Sequence, residues 1–215
     1  LLRLAAAALS LGLAAHGGAA AEDGAKRVRS LVDIRNAQLV RQHWDLSCGA
    51  AAVATLLTYQ LGEPVSEREA ALGMLQRSNP VVVRARMGFS LLDLKRFAAS
   101  RGAAAAGFAG LSLDELIGMA PAIAPIRSQG FGHFVIVRGR VGDRVLIADP
   151  AFGARTLRAE DFRRVWTGGV GFVLFRPDEP HPPNRMAASF DLPVLPSGAA
   201  LRAADAAVQA HVRTP

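Results

Sequence analysis

The chain has 215 residues, 25 Lys and Arg against 18 Asp and Glu for a formal charge of +7, and 51% hydrophobic residues. That length suits one domain with a substantial core plus tails. The charge is almost all arginine, with Lys26 and Lys95 the only lysines, and it forms neither a basic run nor an alternation with aromatics, so it gives no ground for nucleic-acid binding. The single cysteine, Cys48, excludes an intrachain disulfide, and with separated histidines it leaves no ligand cluster for a metal.

Taken in chain order, residues 1–21 read as a signal peptide: Arg3, an apolar stretch over 4–15, then Ala19-Ala20-Ala21 as a small-residue cleavage site before Glu22. This predicts a periplasmic or otherwise exported protein with no membrane span after signal cleavage. Arg3 is the only charged residue of the segment, so cleavage takes the charge from +7 to +6. Residues 22–35 form a charged lead-in, with a short strand expected over 30–34. From 48 to 61 runs an alanine- and leucine-rich helix punctuated by Gly49 and Gly62. Capping boxes at Ser66/Glu69, Ser90/Asp93 and Ser112/Glu115 open three further helices, the first two over about 66–77 and 90–102.

The second half changes period. Strands are predicted over 122–127, 133–140 and 144–148, the last two joined by a hairpin turn at Val141-Gly142-Asp143. A short helix over 158–166 and a closing strand over 171–175 follow. Helices first and an antiparallel sheet second make an α+β fold, with the helices packed on the sheet. Residues 177–215 hold six prolines within the first twenty positions and read as a mostly irregular tail, with an amphipathic pattern over 199–212.

An exported protein normally pairs its cysteines, so an unpaired Cys48 calls for a reason beyond filling space. At the first turn of a helix a thiol meets unsatisfied amides and the positive end of the helix dipole, which favours the thiolate. The Cys48 N–H and the side-chain amide of Gln42, six residues earlier, are candidates for stabilising an oxyanion, and Gly49 removes bulk beside the sulfur. Of the five histidines, His16 lies in the leader, and His181 and His211 lie in the tail. His43 is too close in sequence to fold back onto Cys48, which leaves it a surface or substrate-contact role. His133, following Gly130-Phe131-Gly132 and anchored by Phe134-Val135-Ile136-Val137, is the better base. Asp149 ends the next strand and is preferred over the turn residue Asp143 as the group that orients the imidazole.

In this order and spacing, Gln42 six before Cys48-Gly49-Ala50, Gly132-His133-Phe134-Val135, and Ile147-Ala148-Asp149-Pro150 resemble the peptidase C39 family, over roughly residues 36–176. The segment Met87-Gly88-Phe89-Ser90-Leu91-Leu92-Asp93-Leu94 is similar to that family's central helix. The resemblance implies a papain-like fold and a thiol protease built on Cys48, His133, Asp149 and Gln42. It implies a peptide or exported protein as substrate, cleavage after a Gly-Gly pair, and no cofactor. The sequence departs from the transporter-linked members: it has no Gly-x-x-x-x-Gly-Lys loop, so no ATP binding is expected, and it carries an export signal. In this it resembles the stand-alone members that accompany functional-amyloid secretion systems, with a secretion apparatus as the implied partner. A binding module that does not cut, or an acyl or peptidyl transferase, would use the same fold. Gly168-Gly169 reads as a turn and not as a self-cleavage site.

Overall fold

The computed structural model describes residues 30–128 and 130–187. The expected signal peptide, most of the lead-in, and the amphipathic pattern over 199–212 lie outside those residues. Seven α-helices and six strands are described: α1 (Leu31–Asn36), α2 (Cys48–Thr55), α3 (Glu67–Leu75), α4 (Pro80–Ala85), α5 (Leu91–Ser100), β1 (Ala104–Phe108), α6 (Leu113–Gly118), β2 (Ala122–Ser128), β3 (Phe131–Val141), β4 (Arg144–Asp149), β5 (Gly153–Arg158), α7 (Ala159–Val165) and β6 (Gly171–Phe175). No described helix is long and apolar enough to cross a membrane.

The strands form one sheet in the order β1-β6-β2-β3-β4-β5, each neighbouring pair antiparallel. Helices α2, α3 and α5 cover one face, where Val53, Leu56, Met74 and Leu94 meet Ile123, Ile136 and Phe172. Helices α6 and α7 cover the other, through Leu116 and Phe162 against Val135, Val137 and Ile147. This is the α+β arrangement that the change of period predicts.

Helix α2 is buried along its whole length because its residues are small. A Cβ added at Gly49 would lie 3.0 Å from Leu94 Cδ1 on α5 and 3.3 Å from Phe134 Cδ2 on β3. The glycine therefore serves close packing of α2 between a helix and the sheet, and not clearance beside the sulfur. Past Thr55 the helix widens into a π-helical turn over Leu56–Gln60, with the Leu61 N–H donating to the Leu56 carbonyl at 3.1 Å.

Several elements depart from the sequence expectation. Residues 31–36 form a helix instead of a strand, because the Ser30 hydroxyl caps it by accepting from the Asp33 N–H at 3.0 Å. Helix α4 starts at Pro80, a residue suited to a first helical turn, under an Asn79 cap. Strand β1 is written in alanines and glycine, poor strand formers, and exists as an edge strand by pairing with β6. Strand β5 is a hairpin return from β4, made possible by Gly153 at φ +84°, where the Arg35 carbonyl of α1 would sit 3.1 Å from any Cβ.

Packing also continues past the expected domain end at 176. The segment through residue 187 has no helix or strand of its own, as expected of the tail, yet it is tied down along its length. Gln60 Nε2 donates to the Pro183 carbonyl at 2.8 Å, Asn184 Nδ2 to the Arg138 carbonyl at 2.9 Å, and Arg138 Nε to the Met186 carbonyl at 2.6 Å. Met186 is fully buried among the helix-side core residues. Met186→Ala should therefore destabilise the fold by about 2–4 kcal/mol in urea denaturation, while Met186→Leu should cost less than about 1.5 kcal/mol. Equal stability of Met186→Ala and the parent would show that this strap is not part of the core.

Candidate active site

Cys48 is the first residue of α2 and is buried. The segment that delivers it crosses the end of β4: the Gln42 N–H donates to the Pro150 carbonyl at 3.0 Å, and Arg41 Nη2 donates to the Ala151 carbonyl. A second anchor is the carboxylate of Glu67 at the start of α3, 4% exposed. It accepts from the His43 N–H and His43 Nδ1, both at 2.7 Å, from the Trp44 N–H at 3.4 Å, and from the Ser47 hydroxyl. Burial acts to raise the Glu67 carboxyl, but the bonds from Ser47 and His43 outweigh it and hold the group below the usual glutamate range. The whole turn before Cys48 is thus pinned to α3 by one buried anion. His43, whose ring is 72% exposed, takes part as a donor to that anion and not as a partner of the sulfur.

His133 stands near the start of β3 and Asp149 at the end of β4. The pairing Ile136↔Ala148 and Val137↔Ile147 places His133 and Asp149 on the same sheet face as diagonal neighbours across the hairpin. His133 Nε2 meets Asp149 Oδ1 at 2.7 Å, which leaves Nδ1 for the thiol, and Cys48 is near enough to raise the proton affinity of the ring. Asp149 is fully buried. Burial disfavours a charged imidazole, yet the hydrogen bonds to Asp149 and Cys48 and their charges prevail, and the His133 pKa rises from 6.5 to about 9. The extra proton affinity of the folded state therefore contributes stability that is complete below pH 6.5 and is lost as pH rises through about 9.

Asp143, the rival orienter, sits at the opposite end of the hairpin, where its carboxylate faces Arg158 at 3.4 Å with both side chains largely exposed. Gln42 points its Nε2 at the Trp44 carbonyl, 3.1 Å away, and its Oε1 is buried without a partner. Among the described residues no three His, Cys, Asp or Glu side chains gather where they could hold a metal ion. Gly168 and Gly169, both at positive φ, form the turn before β6. A Cβ on Gly169 would lie 2.8 Å from the Leu111 backbone nitrogen, which supports the turn reading.

Two residues of this site escaped the sequence reading. Glu67 is visible in sequence only as the first residue after a capping serine, and nothing there points to a loop 20 residues away. Arg155 donates to Asp149 Oδ2 from Nε at 3.0 Å and from Nη2 at 2.7 Å. Its signal is a spacing of six across a tight turn, legible only once β5 is known to be a strand.

A groove of about 660 Å³ opens beside Ser47, walled by Trp44, Leu46, Val81, Arg84 and Phe89. It brings an apolar surface next to the residue preceding Cys48. The Glu67 clamp lends itself to measurement: Glu67→Ala should lower the unfolding free energy by about 2–3 kcal/mol in chemical denaturation, because the His43 amide and ring lose a buried acceptor and the Ser47 hydroxyl keeps only the Trp44 carbonyl. A change below about 0.5 kcal/mol, the level of ordinary surface substitutions, would show that the turn is held by other contacts.

Comparison with known proteins agrees with this architecture. The profile of the Peptidase C39 family matches residues 36–179. A probable functional amyloid protease FapD of Pseudomonas aeruginosa is 38% identical over 151 residues, which cover 69% of this chain and 66% of that protein. The FapD of Pseudomonas fluorescens is 38% identical over 150 residues, again 69% of this chain and 66% of the relative. The chain thus spans slightly less than two thirds of the length of these relatives. Among solved structures, a double glycine motif protease from an AMS/PCAT transporter, crystallised with its leader peptide, aligns with a TM-score of 0.53 and 26% identity over 63% of this chain and 89% of that one. The peptidase domain of Streptococcus ComA shares the fold, with a TM-score of 0.53 at 22% identity over 64% of this chain and 97% of its own. With its mixed helices and antiparallel sheet and a family match over residues 36–179, the chain belongs to the Peptidase C39 family of cysteine peptidases.

Proposed function

We propose that this protein is an exported cysteine peptidase that cuts a peptide bond in a secreted protein or leader peptide through Cys48, His133 and Asp149. The observation that carries the reading is the 2.7 Å contact between His133 Nε2 and a fully buried Asp149, with Cys48 at the tip of α2 near enough to act on the proton affinity of the same ring. In the proposed reaction the Cys48 sulfur, as a thiolate beside a protonated His133, attacks the scissile carbonyl. The Cys48 N–H and the Gln42 amide stabilise the oxyanion, the latter by leaving the Trp44 carbonyl. His133 then protonates the departing amine, and a water activated by the neutral ring releases the acyl group.

Three further observations support the substrate class and setting. The groove beside Ser47 gives apolar side chains of a peptide a place to rest as its backbone reaches Cys48. The relative solved with a leader peptide is a double glycine motif protease, which favours a small residue pair at the cut. The relatives from Pseudomonas are functional amyloid proteases, which favours an amyloid-secretion substrate, and the signal-like residues 1–21 favour export.

The test is peptide cleavage mapped by mass spectrometry, using a library that includes Gly-Gly leaders. Cys48→Ala and His133→Ala should each lose on the order of 10³-fold or more in kcat/KM. Full activity of Cys48→Ala would sink the mechanism. The pH profile provides a second reading. Because His133 must carry its proton to the leaving amine, kcat/KM should fall as pH rises through about 9, where the free ring titrates. A basic limb near the ordinary imidazole value would contradict that role.

A further inference from the structure

Arg155 has no step in the proposed reaction, yet it supplies two of the five hydrogen bonds that reach the Asp149 carboxylate. Oδ1 accepts from His133 Nε2 at 2.7 Å and from the N–H groups of Ala151 at 2.9 Å and Phe152 at 3.2 Å. Among the described residues Oδ2 accepts only from Arg155, through Nε and Nη2. The two oxygens are thus divided between flanking strands, β3 on one side and β5 on the other. Register explains the arrangement: Asp149 pairs with Gly153 and Ile147 with Arg155, so Arg155 lies diagonal to Asp149 on the same face. The arginine is itself held, with its guanidinium 5.6 Å from the centre of the Phe152 ring.

We infer that Arg155 is a positioning residue for the reaction, fixing the rotamer and the charge of Asp149 so that His133 stays aimed at Cys48. This inference rests on the triad reading above. The physical need is specific to a fully buried carboxylate. While His133 is protonated, Asp149 has a cationic neighbour. Once the ring gives its proton to the departing amine, that neighbour is neutral, and a buried anion without a counter-charge takes up a proton or turns away. A guanidinium keeps its charge when the imidazole loses its own, so Arg155 remains a counter-charge through both halves of the cycle. The two backbone donors hold Oδ1 in place, and Arg155 holds Oδ2, so the carboxylate cannot rotate about its Cβ–Cγ bond without breaking charged hydrogen bonds.

The test uses the full chain with Arg155→Ala, Arg155→Met and Arg155→Lys, assayed on a peptide that the parent cleaves. Arg155→Met keeps an aliphatic stem beside Phe152 and so guards against simple loss of packing. The expected result is a fall in kcat of about 10–100-fold for Arg155→Ala and Arg155→Met with KM within about twofold, and partial recovery in Arg155→Lys. Guanidinium chloride at tens of millimolar should restore part of the lost rate to Arg155→Ala and none to Arg155→Met, whose side chain fills the space, or to Asp149→Ala. A merely structural role does not respond in that way, since a denaturant does not rescue a weakened fold. Arg155→Met with kcat within about twofold of the parent would overturn the inference, as would an Arg155→Ala enzyme indifferent to guanidinium. If Cys48→Ala is inactive while Arg155→Met is unimpaired, only the role of Arg155 falls. If Cys48→Ala is active, the triad reading falls with it.

Discussion

A carboxylate removed entirely from water must be surrounded by donors, and Asp149 imposes that requirement on three parts of the chain. Leaving such a charge buried and unpaired costs several kcal/mol, more than a large fraction of a domain's net stability. The fold answers with a β3 imidazole, two amides of the turn after β4 and a β5 guanidinium. Burial alone would push the Asp149 carboxyl up. The hydrogen bond and charge of His133, with the charge of Arg155, hold it below the usual aspartate range. The same anion then acts on His133, whose affinity for its proton rises although it too is largely buried.

The Cys48 side of the site obeys a parallel logic with a second buried anion. Glu67 gathers the amides of His43 and Trp44 and the hydroxyl of Ser47, so the turn that ends at Cys48 is tied to the start of α3. The backbone of Gln42 is bonded to Pro150, directly after Asp149, which joins the two halves of the site by a single peptide hydrogen bond. Helix α2 completes the frame. Its small residues let it lie close against α5 and β3, and at Gly49 a side chain would crowd Leu94 and Phe134. Sulfur and imidazole thus stand on elements packed directly against each other, which limits how far they can drift apart.

The helices with capping boxes and the hairpin that carries His133 and Asp149 are legible in the sequence, because each leaves a local mark. Ser66/Glu69, Ser90/Asp93 and Ser112/Glu115 all form their reciprocal bonds, and Gly142 occupies the turn at φ +56°. What escaped was non-local. Strand β1 is alanine-rich and exists through its pairing with β6. Strand β5 shows no clean alternation, since it lies at the sheet edge under α1, and without it Arg155 has no visible relation to Asp149. The role of Glu67 depends on a contact between α3 and a turn some twenty residues earlier, and the burial of Met186 depends on Arg138 and Gln60 reaching a proline-rich segment that looks irregular.

The site turns above all on an imidazole held between a buried carboxylate and a thiol, and the most direct measurement is the titration of the His133 ring by NMR in the full chain. The midpoint should lie at about 9, with the ring N–H facing Asp149 protected from exchange below that pH. A midpoint near 6.5, the ordinary value for histidine, with no protected ring proton, would contradict it.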